Sequence, residues 1–462
     1  MKQTTSQITV LILCSLLSAW ALLGQRPQRP DLRGIITEDM QAPRIAVPDM
    51  PGPGDLSREI SAFNNTLWND LESSAQFQMV SKSLYPRTPP RRPEDLKSAD
   101  QRMPADKGAQ GFWLRGWSDP PATTRYLTFG SLDKSGERLV LSGYLYDAAA
   151  EEVRNAHIFG KRYFSSLDIA GARQLAHEFA RDISQNLGLG MGLAGTRIYF
   201  VSDRTGHKEI WGMDYDGSNE QQITRYENIC ITPAVSPDGS RIAFTTYVDG
   251  LPAIYVHSLE TNRRLTFYNQ KASLNTTPNF HPNGQQIAFA SSATGRSQIY
   301  LADLDGRNFR RVSYSRGLEV DPAINPKTGT QVAFTSGRSG LPQVYVMDID
   351  GANVRMLSLG GGDAVQAVWD PQGENVAFAW TRGFEPGNYN IFVMNVATQK
   401  LVQLTYGAGR NENPYFSPSG THIVFSSNRL GDNQIWTMRA DGSDLKRLTS
   451  RGRNAMPVWG IR

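Results

Sequence analysis

Hydrophobic and polar positions repeat with a long period over the C-terminal half of the chain. A β-branched residue two before an aromatic marks one strand, and a β-branched residue directly before an aromatic marks the next. The first pair occurs as Ile198/Phe200, Ile242/Phe244, Ile287/Phe289, Val332/Phe334, Val376/Phe378 and Ile423/Phe425, so the aromatics lie 44, 45, 45, 44 and 47 residues apart. The second follows in step as Ile210-Trp211, Ile254-Tyr255, Ile299-Tyr300, Val344-Tyr345, Ile391-Phe392 and Ile435-Trp436. Pro-Asn-Gly and Asp-Gly segments supply the turns between them. Six units of four short strands predict a six-bladed β-propeller, because one small twisted sheet buries both faces only against neighbours.

The same pattern predicts how the ring closes. Five units begin with a strand running into a tight turn, starting near Pro233, Pro278, Pro322, Val368 and Pro414, and the first unit lacks it. The missing piece reappears as Pro457-Val-Trp459, 43 residues after Pro414. The C-terminus is therefore expected to supply the innermost strand of blade one, removing two open sheet edges.

Upstream, the periodicity changes to that of helices mixed with strands. Asp55 is expected to cap an amphipathic helix with apolar positions Leu56, Ile60, Phe63, Leu67 and Leu71. A second helix over Asp168 to Leu187 carries Ala172, Ala176, Phe179, Ile183 and Leu187 on one face. Strands are predicted at Arg44–Val47, Phe77–Val80, Gly111–Trp117, Arg125–Gly130, Glu137–Tyr146 and Val153–Phe159, and Pro86 to Gly108 reads as a solvated loop. The predicted fold is β-dominated and two-domain: a small N-terminal α+β domain over 55–190, then a propeller over 195–462 closed by the C-terminal strand.

The first 21 residues read as a cleavable signal peptide: Lys2, an apolar stretch from Val10 to Leu17, then Ala19-Trp20-Ala21. Residues 22–54 read as a flexible arm leading into a first strand. The predicted address is the exported compartment. Cleavage after Ala21 leaves Cys230 as the remaining cysteine, so no internal disulfide is expected. The formal charge of +4 is spread among 48 basic and 44 acidic residues, which argues against nucleic acid as a partner.

No catalytic constellation emerges. His177-Glu178 lacks a second histidine four residues on, since Arg181 stands there, and reads as a helix-surface pair. Gly-x-Ser-x-Gly and Gly-rich phosphate loops do not occur. The segments Asp214 to Gly217, Asp303 to Gly306 and Asp348 to Gly351 lack a full set of oxygen ligands and read as hairpin turns, so neither a metal nor a cofactor is expected. Arg204, Arg338, Arg382 and Arg429 each lie four residues after a blade aromatic, where repetition points to packing or a rim charge pair.

A more informative ring precedes each innermost strand: Cys230, Asn275, Glu319, Ala364, Asn411 and Asn454, flanked by Asp363, Arg410 and Arg453. Loops there crowd one mouth of a propeller channel. Polar groups that differ between blades on a repeated scaffold suit a binding site, and asparagines equally suit caps of their own turns.

The whole arrangement resembles the TolB family. The resemblance rests on Ser236-Pro-Asp-Gly-Ser-Arg-Ile-Ala-Phe, on Gln298-Ile-Tyr-Leu-Ala-Asp-Leu-Asp-Gly, and on the order signal, arm, α+β domain, then Ala194-Gly-Thr-Arg-Ile-Tyr-Phe entering six blades. It implies a monomeric, non-enzymatic periplasmic protein of the Tol-Pal system, supporting outer-membrane integrity and division. It also implies two partners. TolA, an inner-membrane-anchored protein, would bind the arm at Asp31, Leu32, Arg33, Gly34, Ile35, Ile36 and Thr37. Pal, the peptidoglycan-associated lipoprotein, would bind the channel mouth around Asn275, Glu319, Asp363, Asn411 and Asn454. Competing expectations are an exported propeller hydrolase of peptidase ancestry and a carbohydrate-binding propeller.

Overall fold

The computed structural model describes residues 42–97, 110–190, 192–382 and 387–461. The predicted signal peptide and the predicted arm segment Asp31 to Thr37 lie outside the described residues. Six four-stranded antiparallel sheets follow one another around a channel. Blades two to six start at Cys230, Asn275, Glu319, Ala364 and Asn411. Blade one combines Asn454–Ile461 with Thr196–Ser202, Glu209–Asp214 and Gln221–Gln222, so the C-terminal strand lies innermost as predicted. Six Cα pairs join it to Thr196–Ser202, and Trp459 Nε1 donates to Thr196 Oγ1 at 2.8 Å.

The repeated apolar pairs build the walls between blades. Phe200, Phe244, Phe289, Phe334, Phe378 and Phe425 are all buried. Each contributes roughly 1.5–3 kcal/mol by leaving water. The Asp-Gly segments are turns, with Gly217, Gly306 and Gly351 at φ of 87°, 81° and 95°. A side chain at Gly351 would also meet the Val312 carbonyl at 2.1 Å.

The N-terminal domain is a mixed sheet of β1 (Arg44–Ala46), β2 (Gln78–Met79), β3 (Tyr126–Ser135), β4 (Arg138–Asp147) and β5 (His157–Ser166), in the order β2-β1-β3-β4-β5. Helices α1 (Ser57–Ser73) and α4 (Ile169–Asn186) pack on it through Phe63, Leu67, Leu71, Ala172, Ala176, Phe179 and Ile183. Three expectations are corrected here. Asp55 makes no cap, and its carboxylate pairs with Lys134 at 2.5 Å. Gly111–Trp117 is no strand but a 3-10 turn at Gln110–Phe112, a single bridge residue at Trp113 and then α2 (Arg115–Ser118), because Trp117 is buried among Tyr85, Leu114 and Tyr146 instead of alternating in a sheet. The predicted strand at Val153 begins as the short helix α3 (Val153–Ala156), which seats Ala156 in the same cluster. The described part of the loop predicted to be solvated, residues 86–97, is anchored too, since Leu96 is buried and Lys97 bridges Trp113.

His177 is the fifth correction. It is buried, with Nδ1 at 2.8 Å from Asp70 of α1, whose other oxygen accepts from Tyr215 Oη at 2.5 Å. Tyr215 lies in the turn between the third and fourth strands of blade one, so this trio fastens the N-terminal domain to that side of the propeller. Burial pushes the Asp70 carboxyl above its ordinary value. Burial opposes charge on His177, but Asp70, backed by Asp216 and Asp214, holds the imidazole above 6.5. Both shifts mean that the folded site binds a proton more tightly than the unfolded chain.

Two predictions follow from closure and from this trio. Trp459→Ala is expected to cost about 3–5 kcal/mol in urea unfolding, because it empties a buried site on the closing strand. His177→Gln is expected to destabilise more at pH 5.5 than at pH 8.5, since the contribution is complete below about pH 6.5 and lost as pH rises through the raised value. An equal loss at both pH values would show that His177 contributes only by packing.

Candidate functional site

Each innermost strand starts on one face of the propeller, here called upper, beside the hairpin joining the second and third strands of its blade. The turn holding Tyr215 lies on the opposite, lower face. The N-terminal domain therefore fastens below, on the side away from the upper loops.

The predicted mouth residues do begin the innermost strands, but their side chains turn inward. Asn275, Glu319, Asn411 and Asn454 are buried, as are Cys230 and Ala364. The asparagines cap the loops that precede them. Asn275 Nδ2 donates to the Gln270 carbonyl at 2.9 Å, Asn411 Nδ2 to that of Gly409 at 3.1 Å, and Asn454 Nδ2 to that of Arg451 at 3.0 Å. Asp363 is half-buried, and its N–H donates to Thr381 Oγ1 at 2.8 Å. Arg410 and Arg453 flank the ring in the open, paired with Glu412 at 3.0 Å and Asp432 at 3.3 Å.

The repeated arginines explain why the loops hold their shape. Arg204, Arg338 and Arg429 lie over the blade aromatics, 4.5, 4.9 and 4.8 Å from the rings of Trp211, Tyr345 and Trp436. Each donates Nε to a serine of the second strand, Ser202, Ser336 or Ser427. Each then reaches the ring residue of its own blade: Asn454 at 3.1 Å, Glu319 as an ion pair, and Asn411 at 2.7 Å. In blade five the ring position is Ala364, and Arg382 bonds the Leu359 carbonyl instead. The arginines and the polar ring residues are thus one positioning device in three blades.

The channel itself is lined by a second ring that the sequence reading missed. Two residues into each innermost strand stand Thr232, Thr277, Asp321, Gln366, Asn413 and Met456, all with φ between 49° and 60°. This left-handed kink coincides with a register shift in every blade. The kink aims backbone N–H groups at side chains of the preceding blade. Thr277 N donates to Thr245 Oγ1 at 3.1 Å, Asp321 N to Thr277 Oγ1 at 3.2 Å, Gln366 N to Thr335 Oγ1 at 3.2 Å, and Asn413 N to Gln366 Oε1 at 2.8 Å. A sequence signal existed, since five of the six directly precede the proline of the innermost strand.

Asp321 contributes the one carboxylate to this ring. It borders the lumen and is otherwise enclosed by neighbouring strands. Burial pushes its pKa up to about 6, and the Thr335 hydroxyl at 3.4 Å only partly opposes the shift. A raised carboxyl costs stability as pH rises through its folded value. Asp321→Asn is therefore expected to raise the melting temperature at pH 8 and leave it nearly unchanged at pH 4; the opposite pH order would show that the charge is stabilised in the channel.

No group of acidic, histidine or cysteine side chains capable of holding a metal occurs among the described residues. No helix among them is long and apolar enough to cross a membrane. What the upper face offers is a rigid rim of loops around a narrow polar channel.

Comparison with known proteins fits this architecture. Residues 185–385 and 368–462 match the family described as the TolB beta propeller domain. A TolB homolog of Chlorobium chlorochromatii is 36% identical over 138 residues, which is 30% of either chain. The Tol-Pal system protein TolB of Bordetella pertussis is 41% identical over 154 residues, 33% of this chain and 35% of that protein. These matches span about a third of the curated relatives' length. The crystal structure of TolB from Acinetobacter baumannii superposes with a TM-score of 0.68 and 23% identity, covering 92% of this chain and 98% of that one. That likeness extends the shared fold across the N-terminal domain.

Proposed function

This chain belongs to the TolB β-propeller family, and on that premise we propose that it is a non-enzymatic periplasmic scaffold of a Tol-Pal system. In this reading residues 1–21 direct export, and the upper face of the propeller receives the peptidoglycan-associated lipoprotein Pal. The segment Asp31 to Thr37 receives TolA. The chain would thereby connect a peptidoglycan-bound lipoprotein to an inner-membrane partner, supporting outer-membrane integrity and invagination during division.

The observation that carries this reading is the division of labour between the two faces. The N-terminal domain is fastened below through Asp70, His177 and Tyr215, while the upper loops are held stiff by buried asparagines and stacked arginines. A preshaped rim of this kind loses little entropy when a protein docks on it. Asn275, Glu319, Asn411 and Asn454 would act by positioning the rim, with Asp363 and the exposed loop residues touching the partner.

Calorimetric titration with the soluble domain of the cognate Pal tests the reading. One-to-one saturable binding is expected, weakened roughly tenfold or more by Leu318→Glu with Leu359→Glu, two exposed rim residues. Wild-type protein that shows no binding would defeat the proposal. Deleting residues 31–37 is expected to abolish binding of the soluble TolA domain while leaving Pal affinity intact.

A further inference from the structure

The upper face is chemically unlike the lower one. Leu251, Tyr314, Leu318, Leu341, Leu359 and Leu430 are each more than half exposed, and all lie in upper loops or hairpins. Four of them, Tyr314, Leu318, Leu341 and Leu359, border blade four, with Leu251 in blade two and Leu430 in blade six. Isolated exposed apolar residues need no explanation, but a group of them concentrated on one face marks a contact surface.

Cations stand between them. Arg225, Lys271, Arg296, Arg316, Arg382 and Arg451 are exposed in the same loops and hairpins, and no carboxylate pairs with any of them among the described residues. Where their polar partners are seen, these are backbone carbonyls, that of Arg316 for Arg296 and that of Leu359 for Arg382, which leave the charge uncompensated. The turns of the lower face mix both signs, with Asp216, Asp238, Asp305, Asp350, Asp441 and Asp444 standing among Arg241, Arg263, Arg307, Arg310, Arg355 and Lys446, and Asp305 and Asp444 pair with Arg307 and Lys446. The upper face thus carries an excess of cations, since they outnumber its exposed carboxylates Glu227, Asp249 and Asp432, whereas the lower turns are balanced in sign.

We propose that the upper face selects an acidic protein loop with an apolar tip, steered by these unpaired cations and seated on the rim leucines. The inference rests on the reading that the upper face is the docking face, and it specifies the chemistry of what docks. A protein loop fits better than a simple polyanion, because leucines and a tyrosine interleaved with the cations would remain exposed against a purely charged ligand. Exposed charge pairs add little affinity once formed, but an uncompensated field accelerates encounter and makes it salt-dependent. The narrow polar channel at the centre of the rim suits the tip of a convex element.

The test uses the full mature protein and a synthetic peptide whose Leu-Phe centre is flanked by glutamates. Its lysine-flanked counterpart and heparin, a polyanion without apolar groups, serve as comparisons. Association is followed by stopped-flow fluorescence from 50 to 300 mM NaCl. The acidic peptide is expected to associate at least ~10-fold faster than the basic one at low salt, with the advantage falling steeply as salt rises. Arg225→Glu, Arg316→Glu and Arg451→Glu combined should remove that advantage. The lower-face set Arg263→Glu, Arg310→Glu and Lys400→Glu should not, and unchanged melting curves would show that both variants are folded. Equal rates for the two peptides, an unaffected upper-face variant, or heparin binding as tightly as the acidic peptide would each overturn the proposal. Pal binding that ignores the upper-face charges would defeat this inference and spare the scaffold reading. Peptide binding without Pal binding would do the reverse.

Discussion

Ring closure by the C-terminal strand is the constraint on which the rest of this molecule depends. Each blade buries its large aromatics only against the next blade, so a ring with one open junction would expose a whole interface. Asn454–Ile461 pairs with Thr196–Ser202 and brings together residues more than 250 positions apart. Loop-closure entropy grows only slowly with length, so the long separation costs little more than a short one would. The return is the removal of two strand edges and the burial of Trp459.

Closure also decides what the loops can do. Asn454, delivered by the last strand, is the residue that Arg204 grips from the hairpin after Thr196–Ser202, so the rim of blade one is assembled from both ends of the propeller. The same grip recurs in blades four and six. Stacking on the blade aromatics places each guanidinium, and the guanidinium places the loop. A core repeat therefore determines the shape of a surface that is not itself repetitive.

Beneath the rim, the left-handed kink in each innermost strand converts backbone donors into links between neighbouring blades. A non-glycine residue in this conformation is strained by roughly 1–3 kcal/mol. At four junctions the kinked residue donates to a side chain of the blade before it, which offsets that strain. The channel is consequently a structural belt first. Asp321 is the exception, a carboxylate whose charge the belt does not compensate.

The sequence alone determined the architecture: six units, four strands each, the order of domains and the borrowed strand. Those follow from period-two burial and turn chemistry, which act between near neighbours and so leave a direct trace in the chain. Side-chain direction at the site does not leave such a trace. Nothing local distinguishes an asparagine that faces a channel from one that caps its loop, and only the fold turned Asn275, Asn411 and Asn454 inward. His177 shows the same limit, since its partners Asp70 and Tyr215 are 107 and 38 residues away and converge only when the two domains pack. Helix periodicity placed its neighbours Ala176 and Phe179 correctly, but it could not say that the propeller would cover the helix at His177.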